Sequence, residues 1–271
     1  MSGKRSSSAG EKRKDKGAAP KRRAKRETPT AAAVIIGNEL LSGKIADQNL
    51  VVLARVLRRL GVQFKKAVTI PDELDVIVRE VRAAAKAHTW VFTSGGIGPT
   101  HDDLTIEGVA KAFGVKVKTS EELEAKIRAA YGDRLKDGHL LMARVPKGAR
   151  LVTSETIPWP AIVMKNVWIL PGVPEVFTIK MGLLEQIIVP ETPFESLSVF
   201  STLDEGNLKP FLDRVVDRYP DVDVGSYPRW TDPVVRTKLT FDGRDREACE
   251  AAARAFVESL PADAIVADAP G

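Results

Sequence analysis

The chain is poor in cysteine and in aromatic residues. A single cysteine, Cys249, stands among 271 residues, which excludes an internal disulfide and any Cys-rich zinc module. A reducing cytoplasm is the expected compartment. Aromatics make up 6% of the chain, so aliphatic side chains must supply most of the core. No run approaches the ~18 apolar residues of a membrane span, and no membrane association is expected. The N-terminus is basic but has no apolar stretch behind its charges, so it is not a secretory signal. At roughly 100–200 residues per domain, the length accommodates one large or two modest domains.

Most of the chain also lacks the basic character that its net charge of +5 suggests. Of the 41 Lys and Arg residues, eleven lie in residues 1–30 beside three acidic ones, Glu11, Asp15 and Glu27, which leaves 30 basic and 33 acidic residues elsewhere. The remainder shows no compositional footprint of nucleic-acid binding. Residues 1–30 contain no Val, Ile, Leu, Phe, Trp or Tyr; such a segment cannot offset its ordering entropy and is expected to be disordered. Its clusters Lys12–Lys16 and Lys21–Arg26 resemble a nuclear-localisation or nucleic-acid-binding arm, the only route to nucleic acid in the chain. A solvated tail, or a start codon placed too far upstream, explains them as well.

After Thr30 the pattern changes. Ala31–Ile36, Phe64–Ile70, Trp90–Thr93 and Val167–Leu170 read as strands. Asp47 caps a helix carrying Leu50, Leu53, Ala54, Leu57 and Leu60, stopped by Gly61. Further helices follow from Pro71–Asp72 (apolar face Leu74, Ile77, Val78, Val81), from about Leu104 to Phe113, from Glu121 to Tyr131 and from Glu175 to Ile188. This alternation predicts a parallel, doubly wound sheet with helices on both faces over residues 31–190. The order restarts after Pro190-Glu-Thr-Pro193, read as a hinge. Residues 191–271 form a smaller α+β unit: strands at Leu197–Thr202, Val222–Ser226, Val234–Phe241 and Ala264–Val266, helices at Asn207–Tyr219 and Glu247–Leu260.

Ligands of open α/β sheets sit beyond the carboxyl ends of the strands. Three polar, glycine-rich stretches follow predicted strands here: Gly37-Asn38-Glu39-Leu40-Leu41-Ser42-Gly43, the run from Thr93 through Asp103, and Leu170-Pro171-Gly172-Val173-Pro174-Glu175. Glycines between strand and helix let backbone N–H groups approach a phosphate. The middle stretch carries Gly95, Gly96 and Gly98, the hydroxyls of Ser94, Thr100 and Thr105, and the carboxylates of Asp102 and Asp103. It is not a Walker A motif, since no Gly-Lys-Ser/Thr follows, nor a dinucleotide fingerprint, since His101 stands where the last glycine belongs. Adjacent carboxylates beside an anion cradle suggest a divalent cation bridging phosphate oxygens, with helix capping as the plainer alternative. Asp72 ends the second strand, where it caps the next helix or faces the same crevice, and Glu39 has no capping or pairing role in its loop. Cys249, Trp159 and Trp168 read as packing residues, and Trp230 as loop packing.

At these residues the sequence resembles the molybdopterin-binding, MoaB/Mog-like domain of the CinA competence/damage-inducible family. The likeness rests on Gly37-Asn38-Glu39-Leu40-Leu41-Ser42-Gly43 with Asn49, on Gly95-Gly96-Ile97-Gly98-Pro99-Thr100-His101-Asp102-Asp103-Leu104-Thr105, and on Leu170–Glu175. With Pro71-Asp72-Glu73 and Gly225-Ser226-Tyr227-Pro228, it is nearest to the N-terminal domain of eukaryotic FAD synthases. The resemblance implies a three-layer α/β/α sandwich with a mostly parallel sheet, then a small KH-like module. That module lacks a Gly-x-x-Gly loop in 191–271, which argues against RNA binding. It also implies a pterin-phosphate site at Asp72 and Asp103, metal-dependent cleavage of ADP-ribose or FAD, and a homo-oligomer.

Two departures bear on substrate. Asn38 replaces the threonine or aspartate of family members, and Ser154–Val163 stands where CinA proteins carry Gly-Thr-Ala-Pro-Gly. The chain ends near 271, so neither the CinA amidohydrolase domain nor the adenylylating domain of FAD synthases is expected, nor are their activities. The expectation is a divalent-metal-dependent (Mg, Mn or Co) nucleotide pyrophosphatase. Asp102 and Asp103 hold the metal with Asp72, and Glu39 orients a water. Gly37, Asn38, Asn49, Ser94, Gly95, Gly96, Gly98, Thr100, Thr105, Pro171, Gly172 and Glu175 bind the ligand. The alternative is a non-catalytic protein that binds molybdopterin or a related phosphorylated ligand.

Overall fold

A computed structural model describes residues 28–188 and 192–267. The disordered-tail reading, up to residue 27, and the Pro190 end of the hinge lie outside the described residues. The first unit runs β1 (Thr30–Ile36), a short α1 (Asn38–Leu41), α2 (Asn49–Arg59), β2 (Gln63–Ile70), α3 (Leu74–Ala87), β3 (Trp90–Ser94), α4 (Thr105–Ala112), β4 (Val117–Thr119), α5 (Glu121–Tyr131), α6 (Asp137–Leu140), β5 (Arg144–Pro146), β6 (Arg150–Val152), β7 (Ala161–Met164), β8 (Val167–Leu170) and α7 (Pro174–Ile187). Its six-stranded sheet has the order β2-β1-β3-β8-β7-β6. The first four strands are parallel; β7 and β6 are antiparallel to their neighbours.

The run Ala31–Ile36 is apolar throughout because β1 is central and buried on both faces. Its side chains alternate between two cores. Ala32, Val34 and Ile36 face one packed by α3, α4 and α5 through Ile77, Val81, Val109 and Ile127. Ala31, Ala33 and Ile35 face another packed by α2 and α7 through Leu53, Leu57, Phe177 and Leu184. The result is the expected three-layer α/β/α arrangement. Asp47 caps α2 as read: Oδ1 accepts from Asn49 N (3.0 Å) and Oδ2 from Leu50 N (3.2 Å).

The antiparallel edge and the small β4–β5 pair were not legible in the sequence. β4, β5 and β6 have three residues each, too few to show a period. The β7–β8 hairpin turns at Lys165-Asn166, with Lys165 rather than glycine at φ 53, so the usual turn signal is missing.

The second unit comprises β9 (Glu195–Ser201), α8 (Glu205–Arg218), β10 (Asp223–Pro228), β11 (Thr237–Gly243) and α9 (Arg246–Ser259), with an antiparallel sheet ordered β10-β11-β9. Cys249 packs in its core with Leu208, Phe241 and Phe256, as expected of it. The final strand expected at Ala264–Val266 is instead a 3₁₀ turn at Ala262–Ala264 and one bridge, Ser201 to Ile265. Two tryptophans also depart from expectation: Trp159 is 39% and Trp230 86% exposed. The units meet where Arg58 donates to Glu195 O (3.1 Å) and to Asp242 Oδ1 (2.5 Å). Among the described residues no helix is long and apolar enough to cross a membrane.

Helices α3 and α4 approach closely at Gly108. A Cβ added there would lie 2.9 Å from Ile77 Cβ and nearer still to its Cγ2. Overpacking of this kind costs roughly 1–3 kcal/mol, and so deep an overlap belongs at the upper end; helix propensity returns about 1 kcal/mol. Gly108→Ala is therefore expected to lower unfolding free energy by about 1–2 kcal/mol in urea titration. Unchanged or increased stability would mean that the two helices have room to part.

Candidate functional site

The carboxyl ends of β2, β1, β3 and β8 lie side by side, so the loops that follow them open on one edge of the sheet. Together they line a cavity of about 740 Å³. Its rim includes Gly37 and Glu39 after β1, Asp72 after β2, Ser94 through Thr100 with Asp102 and Asp103 after β3, and Pro171 through Pro174 after β8. Its inner wall is apolar, with Ile36, Ile97, Ile106, Leu123, Ile162 and Ile169.

Backbone approach shapes the middle loop. Gly95 has φ +100, and a Cβ there would collide with the Ile36 carbonyl oxygen; only glycine meets both conditions. Gly95 N donates to Leu170 O (3.2 Å), which ties the third strand to the fourth at the rim. The Thr105 hydroxyl donates to Gly95 O (2.8 Å) and Thr105 N to Gly96 O (2.9 Å). Asn49, at the start of α2 and 4% exposed, joins three loops: its Nδ2 donates to Ser94 Oγ (2.9 Å) and to Gly172 O (2.8 Å). Its Oδ1 is buried with no hydrogen-bond partner among the described residues.

The carboxylates after β2 and β3 do not cap helices. Position 104, a leucine, precedes α4 without a side-chain cap. Asp103 turns back instead, where its Oδ2 accepts from Thr100 N (2.8 Å) and from the Thr100 hydroxyl. Asp72 does not cap α3 either, since Glu73 holds that position; its Oδ2 accepts from Asn38 N (2.8 Å) and links the second loop to the first. Burial raises the Asp72 carboxyl above its ordinary pKa, the Asn38 N–H lowers it, and the carboxylates of Glu39, Asp102 and Asp103 raise it further. Four acidic side chains therefore share one end of the cavity. No three His, Cys, Asp or Glu side chains among the described residues are grouped closely enough to hold a metal ion by themselves.

Three of the sequence candidates do not belong to the cavity lining. Asn38 contributes its backbone N–H to Asp72, Thr105 is fully buried behind the loop, and Glu175 is exposed on the first turn of α7. The reading also missed residues that do line it, among them Gln48, Arg144, Trp159 and Lys180. Arg144 is paired with Glu107. Lys180 is 3% exposed and donates to Trp159 O and to Pro160 O (3.0 Å). The sequence held a signal for it: on α7 it falls in the stripe of Phe177, Met181 and Leu184, the positions of a buried face.

Burial alone lowers the Lys180 ammonium from its ordinary 10.5 to about 8. Between about pH 8 and 10.5 the unfolded chain binds this proton and the folded chain does not, so the group's contribution to stability rises with pH across that window; below pH 8 the full burial cost stands. The difference in unfolding free energy between wild type and Lys180→Met is expected to move toward the wild type by up to about 3 kcal/mol from pH 7 to 10.5. A difference that stays flat across that range would show that the ammonium is not buried.

Residues 32–191 match the model of the probable molybdopterin binding domain, and residues 193–269 that of the FAD synthase middle domain. A protein of Archaeoglobus fulgidus is 35% identical over 228 residues, covering 84% of this chain and 96% of that protein. The probable FAD synthase of Caenorhabditis briggsae is 32% identical over 269 residues, covering 89% of this chain and 51% of that protein. The chain thus spans about half the length of that relative. The crystal structure of the protein CinA with unknown function from Thermoplasma acidophilum superposes with a TM-score of 0.55 at 32% identity, covering 60% of this chain and 99% of that one. The chain belongs to the MoaB/Mog-like family of probable molybdopterin-binding domains, in the company of CinA and FAD-synthase-type proteins.

Proposed function

We propose that this protein is a divalent-metal-dependent nucleotide pyrophosphatase that cleaves ADP-ribose, FAD or a similar dinucleotide. The observation that carries the reading is the meeting, in one cavity, of the glycine-rich loop after β3 with the acidic end formed by Glu39, Asp72, Asp102 and Asp103. A volume of about 740 Å³ lies within the range of small-molecule sites. Its apolar inner wall suits an aromatic base. The likeness to relatives named as probable FAD synthases supports a flavin nucleotide as ligand.

The donor set suits a hard cation. Carboxylate oxygens are its preferred protein ligands, and a cation that completes its shell with substrate phosphates needs only one or two of them. One or two of Asp102, Asp103 and Asp72 would hold it, with phosphate oxygens of the substrate completing its shell. When bound, the cation would withdraw charge from the phosphoryl oxygens and lower the barrier to attack. The chain's own residues do the rest. The N–H groups of Gly37 and Gly95 are taken by Ile70 O (3.1 Å) and Leu170 O (3.2 Å), so those of Gly96, Ile97 and Gly98 orient the diphosphate. Glu39 takes the proton of the attacking water as the P–O anhydride bond breaks and AMP leaves. Preorganised donors of this sort are a large part of phosphoryl catalysis.

A second reading has its own support: the family model describes a probable molybdopterin binding domain, and pterin phosphate would use the same N–H cradle without turnover. Incubation with ADP-ribose or FAD and Mg²⁺, Mn²⁺ or Co²⁺ should release AMP, and Asp103→Asn should lower turnover by about 10²-fold or more. Full turnover by that variant would remove Asp103 from the mechanism. Tight binding of pterin phosphate with no AMP from any dinucleotide would favour the second reading.

A further inference from the structure

The cavity is charged unevenly. Among the described residues that line it, five are acidic, namely Glu39, Asp47, Asp72, Asp102 and Asp103, and two are basic, namely Arg144 and Lys180. Arg144 is neutralised by Glu107. Lys180 is not neutralised: its two partners are main-chain carbonyls, and no charged group contributes to its pKa. An ammonium has three N–H donors, and the carbonyls of Trp159 and Pro160 take two. A buried cation ordinarily has a counter-charge, and here the described residues supply none.

The position of Lys180 gives that charge a purpose. Pro160 leads into β7, and β7 is four strands from β2 in the sheet; at about 4.8 Å per strand the two ends of the cavity are roughly 19 Å apart. Asp72 ends β2, and its carboxylate neighbours share that side. Lys180 stands at the other. An anionic ligand entering this cavity is repelled at one end, and among the described lining residues Lys180 is the cation without a counter-charge.

We propose that Lys180 is a phosphate-binding residue of the site, its ammonium giving its third N–H to an anionic phosphate oxygen of the ligand on the β8–β7 side. This deepens the pyrophosphatase reading and rests on it for the class of ligand. It assigns the chain a cation that holds a phosphate opposite the carboxylates. The carbonyls of Trp159 and Pro160 keep that cation aimed.

Calorimetry on the full chain decides it, with ADP-ribose, inorganic pyrophosphate and adenosine as probes at pH 7, each with and without Mg²⁺. Lys180→Met is expected to weaken ADP-ribose and pyrophosphate about 10- to 100-fold, the loss of one charge-assisted hydrogen bond, and to leave adenosine unchanged. Lys180→Arg should keep most of the anion affinity. Equal affinities in wild type and Lys180→Met would overturn the assignment and leave Lys180 a clamp on the Trp159–Pro160 segment. If ADP-ribose fails to bind but pyrophosphate binds and depends on Lys180, the pyrophosphatase reading falls and this one stands. If neither anion binds the wild type, this one falls. Should Lys180→Met not fold, ¹³C-lysine NMR of the wild type serves instead: pyrophosphate must raise the Lys180 titration midpoint, and an unmoved midpoint refutes the contact.

Discussion

One carboxamide holds the site together. Asn49 stands at the start of α2, but its hydrogen bonds reach across to Ser94 and Gly172, at the ends of β3 and β8. The bond to Ser94 is buried and that to Gly172 partly so, and leaving a buried donor unmade costs more than forming its bond gains. The first loop, the third-strand loop and the last loop therefore cannot drift apart independently. The bond from Gly95 N to Leu170 O and that from Asn38 N to Asp72 extend the same linkage along the rim. The buried, unpartnered Oδ1 of Asn49 fits a position kept for geometry rather than for the comfort of its own polar atoms.

From this linkage follows the electrostatic character of the cavity. Loops held edge to edge bring four carboxylates near one another; burial chiefly raises the Asp72 pKa and these neighbours raise it further, while hydrogen bonding from Thr100 lowers that of Asp102. Like charges this close are tolerated where a cation relieves them. The apolar wall behind them sharpens the effect by lowering the local dielectric. The acidic end and the N–H cradle are thus two faces of one constraint. On the function proposed above, one repels an anion unless a cation comes with it, and the other receives the anion once it does.

Much of this was legible in the residues. The both-face burial of β1 could be read from Ala31–Ile36, and the cap at Asp47 from a carboxylate placed before an apolar 3–4 stripe. The loops were visible through their glycines, because a strand followed by Gly-Gly and then a helix has few other uses. What stayed hidden depended on distance in the chain. Asp72 lies 34 residues from Asn38, and nothing local says that its carboxylate faces a loop rather than the helix beside it. Trp159 reads as core by type, but its position ahead of the short strand β7 leaves it partly exposed against the cavity. Lys180 was visible only as a lysine out of place, within an apolar stripe.

That last residue bears on one departure of this chain from the CinA pattern, the segment Ser154–Val163. The segment Ser154–Val163 replaces the glycine-rich stretch of CinA proteins, and it is this segment whose carbonyls, at Trp159 and Pro160, hold the Lys180 ammonium. A flexible glycine-rich stretch could not present two fixed carbonyls to a buried cation without a large entropic cost. Pro158-Trp-Pro160 in the sequence, with its restricted φ, can. The unusual loop and the unusual lysine are best understood as one structural unit, built where the β8–β7 side of the cavity would otherwise have no charge to offer. Specificity in this chain is therefore to be sought at that end, since the glycine-rich loops and the carboxylates belong to the pattern it shares with its relatives.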